Sequence, residues 1–247
     1  MPDSIALDAL QPDAVFDGGD LDCGSGLILL IREHMLQAPV GGVLEMRSRE
    51  PSVGDDLPPW CRMVGHDYLG ALPDGSSVRY FMRRGAGASE DARRLEEDKR
   101  KAQEYVWRVR VRATGPLEST VYCRNFSWRL GQPASFEERD PHPSAVEALL
   151  GALAASLATG FATTASRDGL NVDDIEIATS GRLENVLALL GLDEGDSSFS
   201  IIEVKGFAST MDDEDRVRAA WDKAVRRSPL VATLAKAVTL KIRLTIV

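Results

Sequence analysis

Residues 141–161 read PHPSAVEALLGALAASLATGF, and the reading of this stretch decides the architecture of the chain. Val146, Leu149, Leu150, Leu153, Leu157 and Phe161 recur at helical spacing, while the faces between them carry Ala148, Gly151, Ala152, Ala155 and Ala158. A helix that is apolar or small nearly all round is expected to be buried, not laid on a surface. Its small face admits a second helix at close range, either from the same chain or from a second copy. Ser144 and Glu147, three residues apart at its start, have the pattern of a capping box. The stretch is therefore expected to be a central core helix and a packing hub.

Outward from it, strands are expected before and after. Upstream, residues 106–113 and 119–130 alternate in character and are joined by a Gly115-Pro116 turn. Arg108, Arg110 and Arg112 fall on one face of the first of these strands, a side expected to meet solvent. Downstream come strands at 175–181 and 199–208 with a short apolar segment, 186–192, between them. A helix over 212–227 follows, with acids in its first turn and Lys223, Arg226 and Arg227 in its last, an order that complements the helix dipole. Ser228-Pro229 opens a short helix, and 238–247 is a terminal strand. This is an α+β domain over 105–247 built on one long helix.

The N-terminal part reads differently. Strands at 14–17, 43–47, 67–71 and 77–83 and helices at 27–36 and from Asp55 or Asp56 to Val64 give the order βαβαββ, a two-layer α/β sandwich over 1–85. Ser25 is the expected cap of the first helix. Pro58 and Pro59 are expected in the first turn of the second, and Gly65 at its end. Residues 86–104 follow as a charged helical linker, polar on every side and expected to bridge the domains.

Composition narrows the function. The net charge of −9 argues against a surface that tracks phosphates, so no nucleic-acid partner is expected. Cys23, Cys61 and Cys123 are dispersed and odd in number, and His34, His66 and His142 are equally scattered, so neither a disulfide framework, a metal site nor a cofactor site is expected. The most apolar early stretch, 27–31, is far short of the roughly 20 residues that span a bilayer. A cytoplasmic protein without a membrane span is the expectation.

Residues 14–84 resemble the TusA/SirA family of small sulfur carriers, on the element order and on GGVLEM (41–46), DDLPPWCRMVGH (55–66) and VRYFMRR (78–84). The resemblance implies a Cys-Pro-x-Pro at the start of the first helix, whose cysteine carries persulfide sulfur. Gly24, Ser25, Gly26 and Leu27 stand at those four positions, so the motif is absent. Cys23 lies one residue earlier. Near a helix N-terminus its thiol pKa would fall below about 8.5; otherwise it is an ordinary turn residue.

Residues 105–247 resemble the OsmC/Ohr family, on the strand pair, the P-x-x-x-E-x-L-L helix and the SPLVATL segment (228–234). That family implies intertwined homodimers, a pocket between subunits that takes a small apolar ligand, and, in its peroxidases, two cysteines. Ser156 and Ser228 stand at those two positions. A serine cannot attack an O–O bond as a thiolate does or pass through a sulfenic acid. Acyl transfer would need a base and an oxyanion site, and no His or GxSxG elbow accompanies either serine. Read structurally, Ser156 bonds back to the carbonyl of Ala152 and Ser228 caps the helix begun by Pro229. The resemblance also implies a carboxylate early in the helix paired with an arginine, for which Glu147 and Arg124 or Arg110 are candidates. Glu147 and Ser156 lie about half a turn apart at roughly 100° per residue. Cys123 is read as a buried strand thiol.

The leading expectation is a non-peroxidatic fusion of the two modules that handles sulfur or thiols as a carrier, binding or partner-docking protein, with a sulfur-relay protein as a possible partner. The alternatives are a thiol peroxidase or sulfurtransferase using Cys23 or Cys123, and a small-ligand-binding dimer.

Overall fold

A computed structural model describes residues 7–23, 26–86, 88–132 and 140–246. The chain forms two compact units, residues 1–105 and 106–247.

The first unit follows the order β1 (Ala14–Asp17), α1 (Leu27–Met35), β2 (Val43–Ser48), α2 (Val53–Val64), β3 (Asp67–Asp74) and β4 (Ser77–Arg83). The sheet order is β1-β2-β4-β3, with β1 and β2 parallel and the other pairs antiparallel. Leu27, Ile31 and Met35 at i, i+4 and i+8 form the buried stripe of α1, which packs with Leu57, Trp60 and Cys61 of α2 and with Leu44, Met46 and Met82 of the sheet. Beside that core Glu45 is only 2% exposed. It is held by Arg79 at 2.7 and 2.9 Å and by Arg47 at 3.0 Å. Its position on β2 opposite Phe81 of β4 leaves it no access to water, so the guanidiniums take the place of solvent.

Several local expectations need correction. The second helix starts at Val53 behind Ser52, so Pro58 and Pro59 sit mid-helix and not in its first turn. Gly65 does end that helix, in the left-handed region at φ 81°. The cap expected of Ser25 lies outside the described residues. The segment expected to bridge as a polar linker contains α3 (Ala88–Gln103), and α3 is not polar all round: Leu95 is 3% exposed, α3 packs on α1, and Asp98 lies 3.6 Å from Arg32. One apolar residue on a charged helix suffices to seat it on a neighbour. Gly85, just before it, passes so close to Gly65 that a Cβ would meet the carbonyl oxygen, so only glycine fits there.

The second unit opens with a meander, β5 (Arg110–Gly115), β6 (Glu118–Cys123) and β7 (Phe126–Leu130), in sheet order β5-β6-β7. The single strand expected over 119–130 is thus two, folded back at Arg124, whose φ of 54° makes the turn. Then come α4 (Ala145–Arg167), β8 (Val172–Leu183), α5 (Val186–Leu189), β9 (Phe199–Thr210), α6 (Glu214–Arg227), α7 (Pro229–Leu234) and β10 (Thr239–Ile246). β9 lies between β10, parallel to it, and β8, antiparallel. Against this sheet and α6, α4 buries Leu153, Leu157, Phe161 and Ala165, with Phe161 edge-on to Trp221 at 5.7 Å.

Besides that stripe only Thr164 and Ser166, near its end, are buried on α4. Leu149 is 40% exposed and Gly151, Ala152, Ala155 and Thr159 are open to solvent, so within one chain the helix is not the fully enclosed hub its composition suggests. By length and composition it would also suffice to cross a membrane, at a mean hydropathy of 1.6, but its apolar stripe is part of the core beneath it. The meander is barer still. Its register sets Val111 beside Val121 and Val121 beside Trp128, on the face shared by Cys123 and Phe126. Val111, Phe126 and Trp128 are all exposed on that face, whereas Arg110 stacks over Tyr122 on the other. Here is an amphipathic sheet whose apolar side is left largely uncovered.

Candidate functional site

The start of α4 is fixed by its own residues. Glu147 accepts the Ser144 N–H at 2.7 Å and its hydroxyl at 2.8 Å, while the Glu147 N–H donates to Ser144 Oγ at 3.2 Å. These bonds from Ser144 hold the Glu147 carboxyl below its ordinary range. The carboxylate is engaged in the capping box, about two and a half turns of helix from the middle of α4.

At that middle, Ser156 meets Ser228. Ser228 is both the last residue of α6's C-terminal turn and the cap of α7, where its Oγ accepts the Val231 N–H at 3.3 Å; it is 4% exposed. The two Oγ atoms are 2.9 Å apart, 72 residues apart in the chain. Either oxygen of this pair can be the donor, and no bond from Ser156 back to the carbonyl of Ala152 is found among the described residues. The packing of α4 on α6 and α7 thus brings together the two residues that the family resemblance singled out.

The serines open onto a cavity of about 270 Å³ between α4, α6 and the start of α7. Thr159, Gly160, Thr163, Thr164 and Arg167 line it from α4, Ala224 and Arg227 from α6, and Pro229 from α7. Its walls are hydroxyls, small residues and two guanidiniums. Among the described residues no histidine, cysteine or carboxylate lines it, so none of them offers either serine a base to remove its proton. Thr163, Arg167 and Arg227 were not singled out by the sequence reading. For Thr163 and Arg167 the signal is the spacing 156, 160, 163, 167, one face of a helix followed to its end.

The other candidates lie elsewhere. Cys123 is half-buried on the apolar face of the meander, not enclosed as a strand thiol was expected to be. Arg124 turns the β6–β7 hairpin and stacks on Phe126 at 5.4 Å, and Arg110 stacks on Tyr122 at 4.4 Å. Neither arginine lines the serine cavity. In the first unit, Cys23 does not gain acidity from the helix start. Partial burial, together with the charge and hydrogen bond of Asp56 and the charge of Asp22, pushes its thiol up to about 11. Carboxylates at contact range outweigh a half-charge at a helix end. Cys61 is fully buried and is pushed up to about 12, mainly by burial. Among the described residues no group of three or more His, Cys, Asp or Glu side chains is placed to hold a metal.

Comparison with known proteins assigns the class of each unit. The family model for OsmC-like proteins matches residues 137–243. The crystal structure of an OsmC-like protein from Mycoplasma pneumoniae matches with a TM-score of 0.51 at 15% identity, over 58% of this chain and 99% of its own, so the second unit has that fold. The sulfur carrier protein TusA of Pseudomonas putida (strain GB-1) is 31% identical over 75 residues, 30% of this chain and 92% of its own length. The putative sulfur carrier protein YrkF of Bacillus subtilis (strain 168) is 31% identical over 89 residues, 36% of this chain and 48% of its own length. The chain is thus a fusion, belonging to the TusA sulfur carrier family through its N-terminal region and carrying an OsmC-like domain after it.

Proposed function

We propose that this fusion acts in the cytoplasm in sulfur or thiol handling, as a non-peroxidatic carrier, binding or partner-docking protein that assembles as a homodimer through its OsmC-like domain. The observation that carries the reading is the Ser156–Ser228 pair, two hydroxyls 2.9 Å apart where the family resemblance sets two thiols. A hydroxyl pair cannot be oxidised to a sulfenic acid and resolved to a disulfide, so the redox cycle has no electrons to draw on there. The absence of a base among the cavity-lining residues removes the hydrolytic alternative. Cys23, the thiol nearest the position of a TusA-type carrier cysteine, has its pKa pushed up to about 11 by partial burial and then by Asp56 and Asp22, which favours binding or docking over sulfur transfer by the first unit.

The dimer rests on a separate observation. Contiguous exposed apolar surface marks a place where another chain packs, and Val111, Phe126 and Trp128 stand exposed on one face of the meander. A second copy offers the same need.

The test of the chemistry is organic hydroperoxide consumption with a dithiol reductant, run on the native chain and on Cys23→Ser/Cys123→Ser. No thiol-dependent turnover is expected from either. Sustained turnover that survives both substitutions would show that the chemistry needs neither Cys23 nor Cys123 and would overturn the reading.

A further inference from the structure

The Ser156–Ser228 cavity holds more hydrogen-bond donors than its own residues use. Thr159 and Thr164 donate to the carbonyls of Ala155 and Gly160 at 2.8 and 2.7 Å, so both hydroxyls are satisfied within α4. The serine pair is different. Only one of its two O–H groups lies between the oxygens, and Ser228 Oγ also accepts the Val231 N–H, so one serine O–H remains to point elsewhere. Thr163 makes no hydrogen bond among the described residues.

The cations are likewise unspent. Arg167 Nε is buried without a hydrogen-bond partner, and neither Arg167 nor Arg227 forms an ion pair among the described residues. The carboxylate next in sequence, Asp168, is taken by Lys223 at 2.6 Å. Burial, and secondarily the charge of Arg227, lower the pKa of the Arg167 guanidinium, so the two cations repel one another in a shared space. In a chain of net charge −9, which has acids to spare, two guanidiniums share a cavity on whose wall no carboxylate is found among the described residues. An unsatisfied buried donor is costly, and charge-assisted bonds to an oxyanion would relieve both the donor and the repulsion.

We infer that this cavity is a binding site for a small tetrahedral oxyanion of the sulfate, thiosulfate or phosphate class, held by Arg167, Arg227, the Thr163 hydroxyl and the free O–H of the Ser156–Ser228 pair. Its volume of about 270 Å³ accommodates such an ion with ordered water. The inference rests on reading this pocket as a binding site and not a catalytic one. It involves no covalent step, so it can fail while the lack of peroxidase turnover stands.

The experiment is calorimetric titration of the full-length protein with sodium sulfate, sodium thiosulfate and sodium phosphate, each at ionic strength held constant with sodium chloride. Saturable binding of at least one of the three, with one ion per chain, is expected. Arg227→Gln, at an exposed position, should weaken it by roughly tenfold or more, as the loss of a charge-assisted contact implies. Thr163→Val should weaken it several-fold without changing charge. Circular dichroism and a thermal melt establish that each variant is folded. Heats no different from those of chloride for all three ions, or native-like affinity in folded Arg227→Gln, would overturn the assignment.

Discussion

The two units of this chain solve the same problem with opposite completeness. In the first, both helices and the apolar residues of the sheet close on one core, and even the charged α3 is seated there by Leu95. In the second, α4 buries one stripe and shows a face of Gly151, Ala152 and Ala155, and the meander exposes Val111, Phe126 and Trp128. The first has what it needs within one copy. The second has apolar surface beyond what its own chain can cover, and the serine cavity sits on the same helix that carries the bare face.

The largest effect expected from this contrast is on the core of the second unit. Phe161→Ala removes a fully buried ring that lies edge-on to Trp221, and should cost about 3–5 kcal/mol. Thermal unfolding followed at separate probes in the two units should show the loss in the second alone; an equal loss in the first would mean that the units are not independent. Next, Trp128→Asp puts a charge on the apolar face of the meander and should weaken self-association by about 2 kcal/mol or more, read by sedimentation equilibrium. If that face meets only solvent, association will not change.

Within the first unit, Glu45→Gln should cost about 1–3 kcal/mol, because Arg79 and Arg47 lose a buried acceptor. The hydrogen bonds from Arg79 hold the Glu45 carboxyl below its ordinary range despite burial. Its contribution is therefore present above the unfolded carboxylate pKa of about 4.3 and lost as pH falls through the lower folded value. Denaturant midpoints from pH 6 to pH 2 should fall more steeply for the native chain than for Glu45→Gln. Parallel curves would remove Glu45 as a source of acid sensitivity.

A smaller effect belongs to the helix cap: Ser144→Ala should cost the second unit about 1 kcal/mol, measured by its denaturant midpoint. The smallest concerns Cys23. With Asp56 raising its pKa, alkylation at pH 7 should be slower than for a free thiol, and Asp56→Asn should speed it several-fold. Unchanged labelling would mean that the carboxylate does not govern the thiol.

How much of this was legible depends on how local the signal is. Ser144 and Glu147 declare a helix start because both partners of the capping box lie within one turn, and Ser228-Pro229 declares the next for the same reason. The β6–β7 hairpin was missed because alternation runs through Arg124 and Asn125 without a glycine, and the turn depends on a non-glycine residue at positive φ. Leu95 was missed because one apolar side chain among charges has no period. The burial of α4 was overread because composition says that a face needs covering, not whether the same chain covers it. At the site, Ser156 and Ser228 came from the family pattern, whereas Arg227 reads from sequence as a helix-end charge and only the fold sets it on one cavity with Arg167.

The most direct measurement is the mass of the native chain in solution, by sedimentation velocity at micromolar concentration. An incomplete second unit predicts a species of twice the 26.9 kDa chain mass, shifted toward the monomer by Trp128→Asp while the first unit remains folded. A stable 26.9 kDa monomer across that range would contradict the claim that the second unit is finished by a second copy.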